Sequence, residues 1–123
     1  MSNLVILGGS GDVGSRLVRL LSDHQEWKVW AVSRRNRAVE TAHENVVYTA
    51  LDVARPDAAH SLPDDAMVVN LTEATPPGLV AEILARGGTV LDTSATPSYV
   101  HALIRAADGT NGCLVTGVGT APG

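Results

Sequence analysis

Short apolar runs alternate along this chain with longer stretches in which apolar residues recur every third or fourth position. The runs are Leu4-Val5-Ile6-Leu7, Val29-Trp30-Ala31-Val32, Val46-Val47-Tyr48, Met67-Val68-Val69-Asn70-Leu71, Thr89-Val90-Leu91 and Cys113-Leu114-Val115-Thr116. Each is too short for a helix and most are rich in β-branched residues, the pattern of a strand buried on both faces. Helical spacing fills the gaps. Asp12–Asp23 carries Val13, Leu17, Leu20 and Leu21. Pro76–Arg86 opens with Thr75 as the expected N-cap and proline in its first turn, and it sets Leu79, Val80, Ile83 and Leu84 on one face. Pro97–Ala107 repeats the device, with Thr96 as cap and Val100, Leu103 and Ile104 inward. Arg37–His43 and Arg55–His60 are shorter candidates.

Buried strands alternating with helices imply a parallel sheet covered on both faces. Right-handed crossovers then give an α/β, doubly wound (Rossmann) arrangement of six strands, expected in the order 3-2-1-4-5-6. No linker interrupts the pattern, so residues 1–123 read as one domain. Ligands of such sheets bind at the carboxyl ends of the strands, beside the switch point next to the first strand. The residues that follow each strand are therefore the candidates for chemistry.

Composition narrows the classes. The chain is 45% hydrophobic and 18% charged, with no Phe, so its core is aliphatic. A net charge of −4 and no basic run longer than Arg34-Arg35 argue against nucleic-acid binding. No apolar stretch approaches the ~20 residues of a membrane span, and a chain that opens on a strand does not read as a signal peptide. The single cysteine, Cys113, excludes an internal disulfide; its apolar neighbours predict a buried thiol, and a cytoplasmic protein is the expectation. His24, His43, His60 and His101 fall in expected helices or their flanks without ligand spacing, so no metal site is expected.

Strand one runs straight into Gly8-Gly9-Ser10-Gly11-Asp12-Val13-Gly14, and Gly9, Gly11 and Gly14 have the G-x-G-x-x-G spacing between a strand and a helix. That context fits a dinucleotide site: Gly9 would make the turn, Gly11 would admit a pyrophosphate, and Gly14 would let the helix pack closely. Ser10, Asp12 and Val13 would offer backbone N–H groups at the positive end of the helix dipole. The Asp12 carboxylate would repel a pyrophosphate yet suits a helix start, so it is expected to face solvent.

Ser33-Arg34-Arg35 follows strand two, with Ser33 19 residues beyond Gly14. An NAD site places an acid here for the ribose 2′-hydroxyl, and none occurs from Trp27 through Val39. A hydroxyl and a guanidinium suit a 2′-phosphate instead, which favours NADP over NAD and Arg34 over Arg35. After strand three, Asp52 could accept from an adenine amino group with Val53 against the ring, or cap a following helix. Asn70 and Thr72 would lie near a nicotinamide ribose. Asp92-Thr93-Ser94 reads as a turn and helix cap. No pattern marks a catalytic group: Lys28 lies far from the strand ends, and Tyr99 has no lysine four residues on, so the Tyr-x-x-x-Lys dyad of short-chain dehydrogenases is absent.

The glycine turn, Val32-Ser33-Arg34-Arg35-Asn36, Val68-Val69-Asn70-Leu71, Val90-Leu91-Asp92-Thr93-Ser94 and Gly117-Val118-Gly119-Thr120-Ala121-Pro122-Gly123 together resemble the N-terminal NAD(P)-binding domain of the saccharopine dehydrogenase-like family. The resemblance implies an NADP(H)-dependent oxidoreductase acting on C–N bonds of amino-acid-like substrates. It also implies that a C-terminal substrate domain follows, so that this chain alone is inactive and leaves exposed an apolar patch favouring weak self-association, for instance as a homodimer. An NADP(H)-sensing regulatory domain of the NmrA-like type is the alternative.

Overall fold

In the computed structural model, which describes residues 2–9, 11–34 and 44–117, six parallel strands form one sheet in the order β3-β2-β1-β4-β5-β6. They are β1 (Ser2–Leu7), β2 (Trp27–Ser33), β3 (Val46–Ala50), β4 (Ala66–Asn70), β5 (Thr89–Asp92) and β6 (Cys113–Val115). This is the doubly wound order the alternation predicts. Three helices are described: α1 (Asp12–Leu21), α2 (Pro77–Ala85) and α3 (Pro97–Ala107). Arg55–His60 is shorter than its pattern suggested, being only a 3-10 turn at Ala58–Ser61; Pro56 and Pro63 flank it, and proline limits helix growth. The candidate helix Arg37–His43 lies outside the described residues.

The period of two along each strand sorts the core into halves. Val5 and Leu7 of β1, Val32, Val68 and Val90 face α2, α3 and the 3-10 turn, where they meet Leu79, Val80, Leu84 and Leu103. Ile6, Val29 and Ala31 face the other way, onto Val18 with Leu17 and Leu21 of α1. β1 is the centre: Val5, Ile6 and Leu7 are all fully buried, and each contributes roughly 1.5–3 kcal/mol by leaving water. Asn45, at the foot of β3, donates through Nδ2 to the carbonyls of Leu21, His24 and Trp27, each at 3.2 Å, fastening the turn between α1 and β2.

Two local expectations are corrected. Thr75 does not cap α2: Pro76 is the N-cap residue, and Thr75 is buried with its hydroxyl turned to Asn70. Cys113 is exposed. β6 is an edge strand of three residues, its middle residue Leu114 packs on the α2–α3 core, and alternation therefore turns Cys113 and Val115 to the opposite face, where both are exposed.

Candidate functional site

The strand carboxyl ends are stitched side by side. Gly8 and Gly9 N–H both donate to the Val32 carbonyl at 3.0 Å, Leu51 N–H to Ser33 at 2.9 Å, Leu71 N–H to Leu7 at 3.0 Å, and Thr93 N–H to Asn70 at 3.3 Å. The turn after β1 thus hangs on the end of β2. Its left-handed residue is Gly8, with φ 90°, which corrects the assignment of the turn to Gly9. Gly9 serves a packing need: a Cβ there would lie 3.0 Å from the Cβ of Ala31. At Gly14 a Cβ would lie 2.2 Å from the Gly8 carbonyl oxygen, so α1 sits directly on the turn as expected.

Gly11 is the N-cap of α1 and supplies no side-chain hydrogen bond, so the first N–H groups of the helix stay available to a ligand. Among the described residues, a Cβ at Gly11 would meet the Gly8 carbonyl alone, at 3.5 Å. Asp12 and Val13 are exposed, as expected for Asp12. Ser10 lies outside the described residues.

An open cleft of about 310 Å³ runs from this turn across the ends of β2 and β3. Val32, Leu51 and Val53 form its apolar wall, Ser33, Arg34 and Asp52 its polar rim, and Gly8, Thr72 and Ala74 close the β4 side. It therefore gathers five of the residues picked from sequence, namely Ser33, Arg34, Asp52, Val53 and Thr72. Gly8, Leu51 and Ala74 were missed, being small or apolar residues whose only signal is their position at a strand end. Asp52 forms a tight turn, its Oδ1 accepting from Ala54 N–H at 3.0 Å, and it does not cap the 3-10 turn, whose N-cap is Asp57. Thr72 Oγ1 accepts from Ala74 N–H at 3.1 Å and shapes the opposite lip.

Asn70 departs from expectation. It is fully buried and its side chain is committed inside the protein: Nδ2 donates to Asp92 Oδ1 at 2.9 Å and to Tyr99 Oη at 3.0 Å, and Oδ1 accepts from Thr75 Oγ1 at 2.7 Å. Tyr99 Oη donates on to the Thr75 carbonyl at 2.7 Å. Asp92, also fully buried, accepts from Ser94 N–H at 3.1 Å and Ser94 Oγ at 2.9 Å. Asp92 and Ser94 do form a turn, but the N-cap of α3 is Thr96. Asn70 therefore supports the loops after β4 and β5 and does not offer its donors to a ribose. Thr96 Oγ1 adds a bridge between these loops by donating to Glu73 at 2.9 Å.

Burial raises the Tyr99 pKa above 10.0, outweighing the Asn70 hydrogen bond that lowers it, with Asp92 and Glu73 adding like-charge repulsion. The fold favours the neutral phenol, so this contribution to stability is whole below pH 10.0 and is lost as pH rises through the folded-state value. Denaturant midpoints from pH 9 to pH 12 should fall more steeply in the unsubstituted protein than in Tyr99→Phe; parallel curves would remove Tyr99 as the cause.

The model of the family described as semialdehyde dehydrogenase, NAD binding domain, matches residues 3–104, from β1 through most of α3. The chain belongs to this family. It is an NAD(P)-binding domain, and the cleft fits that role: a glycine turn, uncapped N–H groups at a helix start, and an apolar slot with a polar rim. The finding replaces the saccharopine dehydrogenase-like family. The motifs behind that resemblance are mostly strand ends and a glycine turn that the whole fold class shares, and the Gly-x-Gly-x-x-Pro-Gly segment lies past the matched residues.

The chain is 37% identical over 97 residues to a putative LysW-L-2-aminoadipate 6-phosphate reductase of Thermomicrobium roseum, a match over 76% of this chain and 27% of that protein. It is 35% identical over 102 residues to an N-acetyl-gamma-glutamyl-phosphate reductase of Ectopseudomonas mendocina, over 77% of this chain and 29% of that protein. The match thus spans less than a third of these relatives' length. Among solved structures, the oxidoreductase ylbE of Lactococcus lactis superposes with a TM-score of 0.59 at 18% identity, covering 93% of this chain and 67% of that one, a likeness of fold. No described helix is long and apolar enough to cross a membrane.

Proposed function

We propose that this domain binds NADP(H) for a reductase that converts a phosphorylated amino-acid derivative to the corresponding semialdehyde. The observation that carries the reading is the family match together with relatives named as phosphate reductases. The two names meet in one reaction: hydride addition to a side-chain acyl phosphate, with loss of inorganic phosphate, leaves an aldehyde. A carbonyl carbon bearing phosphate thus takes the place of the C–N bond that the saccharopine-like resemblance implied. The cofactor would supply the hydride. This chain's residues would hold it: the turn from Gly8 to Gly14 around the pyrophosphate, Val32, Leu51 and Val53 against the base, and Ser33 and Arg34 at the ribose. The match spans less than a third of the two reductases' length, so substrate would be held mainly by parts of such an enzyme outside this domain, and the domain alone should bind cofactor without turning substrate over.

A charge-assisted hydrogen bond contributes about 1.5–3 kcal/mol, and Arg34 is exposed, so NADPH should bind roughly tenfold more tightly than NADH, less so in high salt. At about a hundredfold excess over the dissociation constant, NADPH should stabilise the domain by ~2.7 kcal/mol, visible as a higher Tm. Ser33→Asp with Arg34→Ala should reverse the preference. Equal affinities in the unsubstituted protein would leave Arg34 as a solvated loop residue. For the reaction itself, a protein carrying this domain, given NADPH and a γ-phosphorylated acidic amino acid, should release inorganic phosphate in step with NADPH oxidation; oxidation without phosphate release would overturn the phosphate reading.

A further inference from the structure

Behind the β4 lip of the cleft lies a negative charge without a cation. Asp92, the last residue of β5, is fully buried. Its carboxylate accepts from Asn70 Nδ2 at 2.9 Å, Ser94 N–H at 3.1 Å and Ser94 Oγ at 2.9 Å, three donors that suit a group able only to accept. Among the described residues no lysine, arginine or histidine pairs with it. Hydrogen bonds tie it to the lip. Asn70 Oδ1 accepts from Thr75 Oγ1 at 2.7 Å, and Thr75 N–H donates at 3.3 Å to the carbonyl of Thr72, which lines the cleft. We propose that Asp92 biases the nicotinamide half of the crevice toward the oxidised cofactor, and so assists hydride donation without touching the ring.

A dinucleotide spans both halves of a doubly wound sheet, one mononucleotide on each side of the switch point. The proposal rests on the dinucleotide reading above, which sets the base and its ribose over β2 and β3 and leaves the nicotinamide to the half ending in Asn70 and Asp92. The oxidised and reduced cofactors differ there by one positive charge on the ring. A fixed carboxylate lowers the free energy of the charged form, and it does the same for the charge that develops as hydride leaves. Its three donors hold it in place, so nothing need reorganise at that moment. Salt screens a buried charge little. At the effective permittivity of a protein interior, one such charge supports a difference of about tenfold between the two forms. Glu73 is the competing source, a carboxylate on the same lip, but it is exposed and open to screening.

The test is calorimetric titration of the purified chain with NADP+ and with NADPH, whose phosphates, riboses and base are the same and cancel in the ratio of affinities. The unsubstituted protein should bind NADP+ about tenfold more tightly, in about 0.05 M and about 0.5 M salt alike. Asp92→Asn removes the charge and keeps an oxygen for Asn70 and the Ser94 hydroxyl, so it should bring the two affinities within about twofold, chiefly by weakening NADP+. Binding of 2′-phospho-ADP-ribose, which lacks the ring, should not change and reports that the variant is folded. Glu73→Gln should leave the ratio as it is. The comparison in the unsubstituted protein decides the matter even where Asp92→Asn does not fold. Equal affinities there, a preference that vanishes in high salt or in Glu73→Gln, or one that survives in folded Asp92→Asn, overturns the role of Asp92 and leaves the dinucleotide reading standing. Binding of neither dinucleotide overturns both.

Discussion

Gly14→Ala should destabilise the domain by about 3 kcal/mol or more, a large fraction of the 5–15 kcal/mol that holds a typical domain folded. Helix propensity argues the other way, because alanine exceeds glycine by about 1 kcal/mol inside a helix. Geometry decides. The new Cβ would lie 2.2 Å from the Gly8 carbonyl oxygen and 2.8 Å from the Gly9 Cα, both of them backbone atoms that cannot rotate away. Gly8 and Gly9 are in turn bonded to the Val32 carbonyl, so the turn cannot retreat without breaking the join between β1 and β2. Gly78 in the first turn of α2 is the control. No atom of the described residues lies within 4 Å of a Cβ there, and Gly78→Ala should be neutral or stabilising by about 0.5 kcal/mol. Urea denaturation of the three proteins measures both. A Gly14→Ala midpoint equal to the unsubstituted one would show that the helix can slide off the turn.

The fold was legible because its two signals are local. Buried strands show as apolar runs and helices as a 3.6-residue recurrence, and a parallel order follows from their alternation. The cleft was half legible. Ser33, Arg34 and Asp52 carry polar chemistry at strand ends and could be picked out, whereas Leu51 and Ala74 contribute only surface and Gly8 only backbone. The misassigned turn glycine has a simple cause: in Gly8-Gly9 either residue could take the left-handed conformation, and only the approach of Ala31 to Gly9 separates them. Cys113 misled because an apolar run says that a strand is packed, not that both of its faces are. Asn70 misled for a related reason. A polar residue at a strand end looks like a ligand contact until its long-range partners are known, and Asp92 and Tyr99 lie 22 and 29 residues away.

Those partners make Asn70 the second position of large effect. Asn70→Ala should cost about 3–5 kcal/mol, because it strips one donor from a fully buried carboxylate and leaves the buried Thr75 hydroxyl without its acceptor. Thr96→Ala, which removes an exposed hydroxyl bond to Glu73, should stay within about 0.5 kcal/mol. Asn70→Asp separates the polar network from simple packing. It preserves volume and sets a carboxyl against Asp92 where the amide donated at 2.9 Å. At neutral pH two buried carboxylates would repel, and the variant should be about as damaged as Asn70→Ala. The fold then favours the protonated form of the new carboxyl, whose pKa is raised above the ordinary value of about 4. Stability gained from that proton is whole below the ordinary value and lost as pH rises through the raised one. The gap between Asn70→Asp and the unsubstituted protein should therefore narrow as pH falls from 7 toward 4, while the gap for Asn70→Ala holds steady. Denaturant midpoints across that range decide it, and a gap for Asn70→Asp that ignores pH would show that Asn70 matters for its shape and not for the hydrogen bond to Asp92.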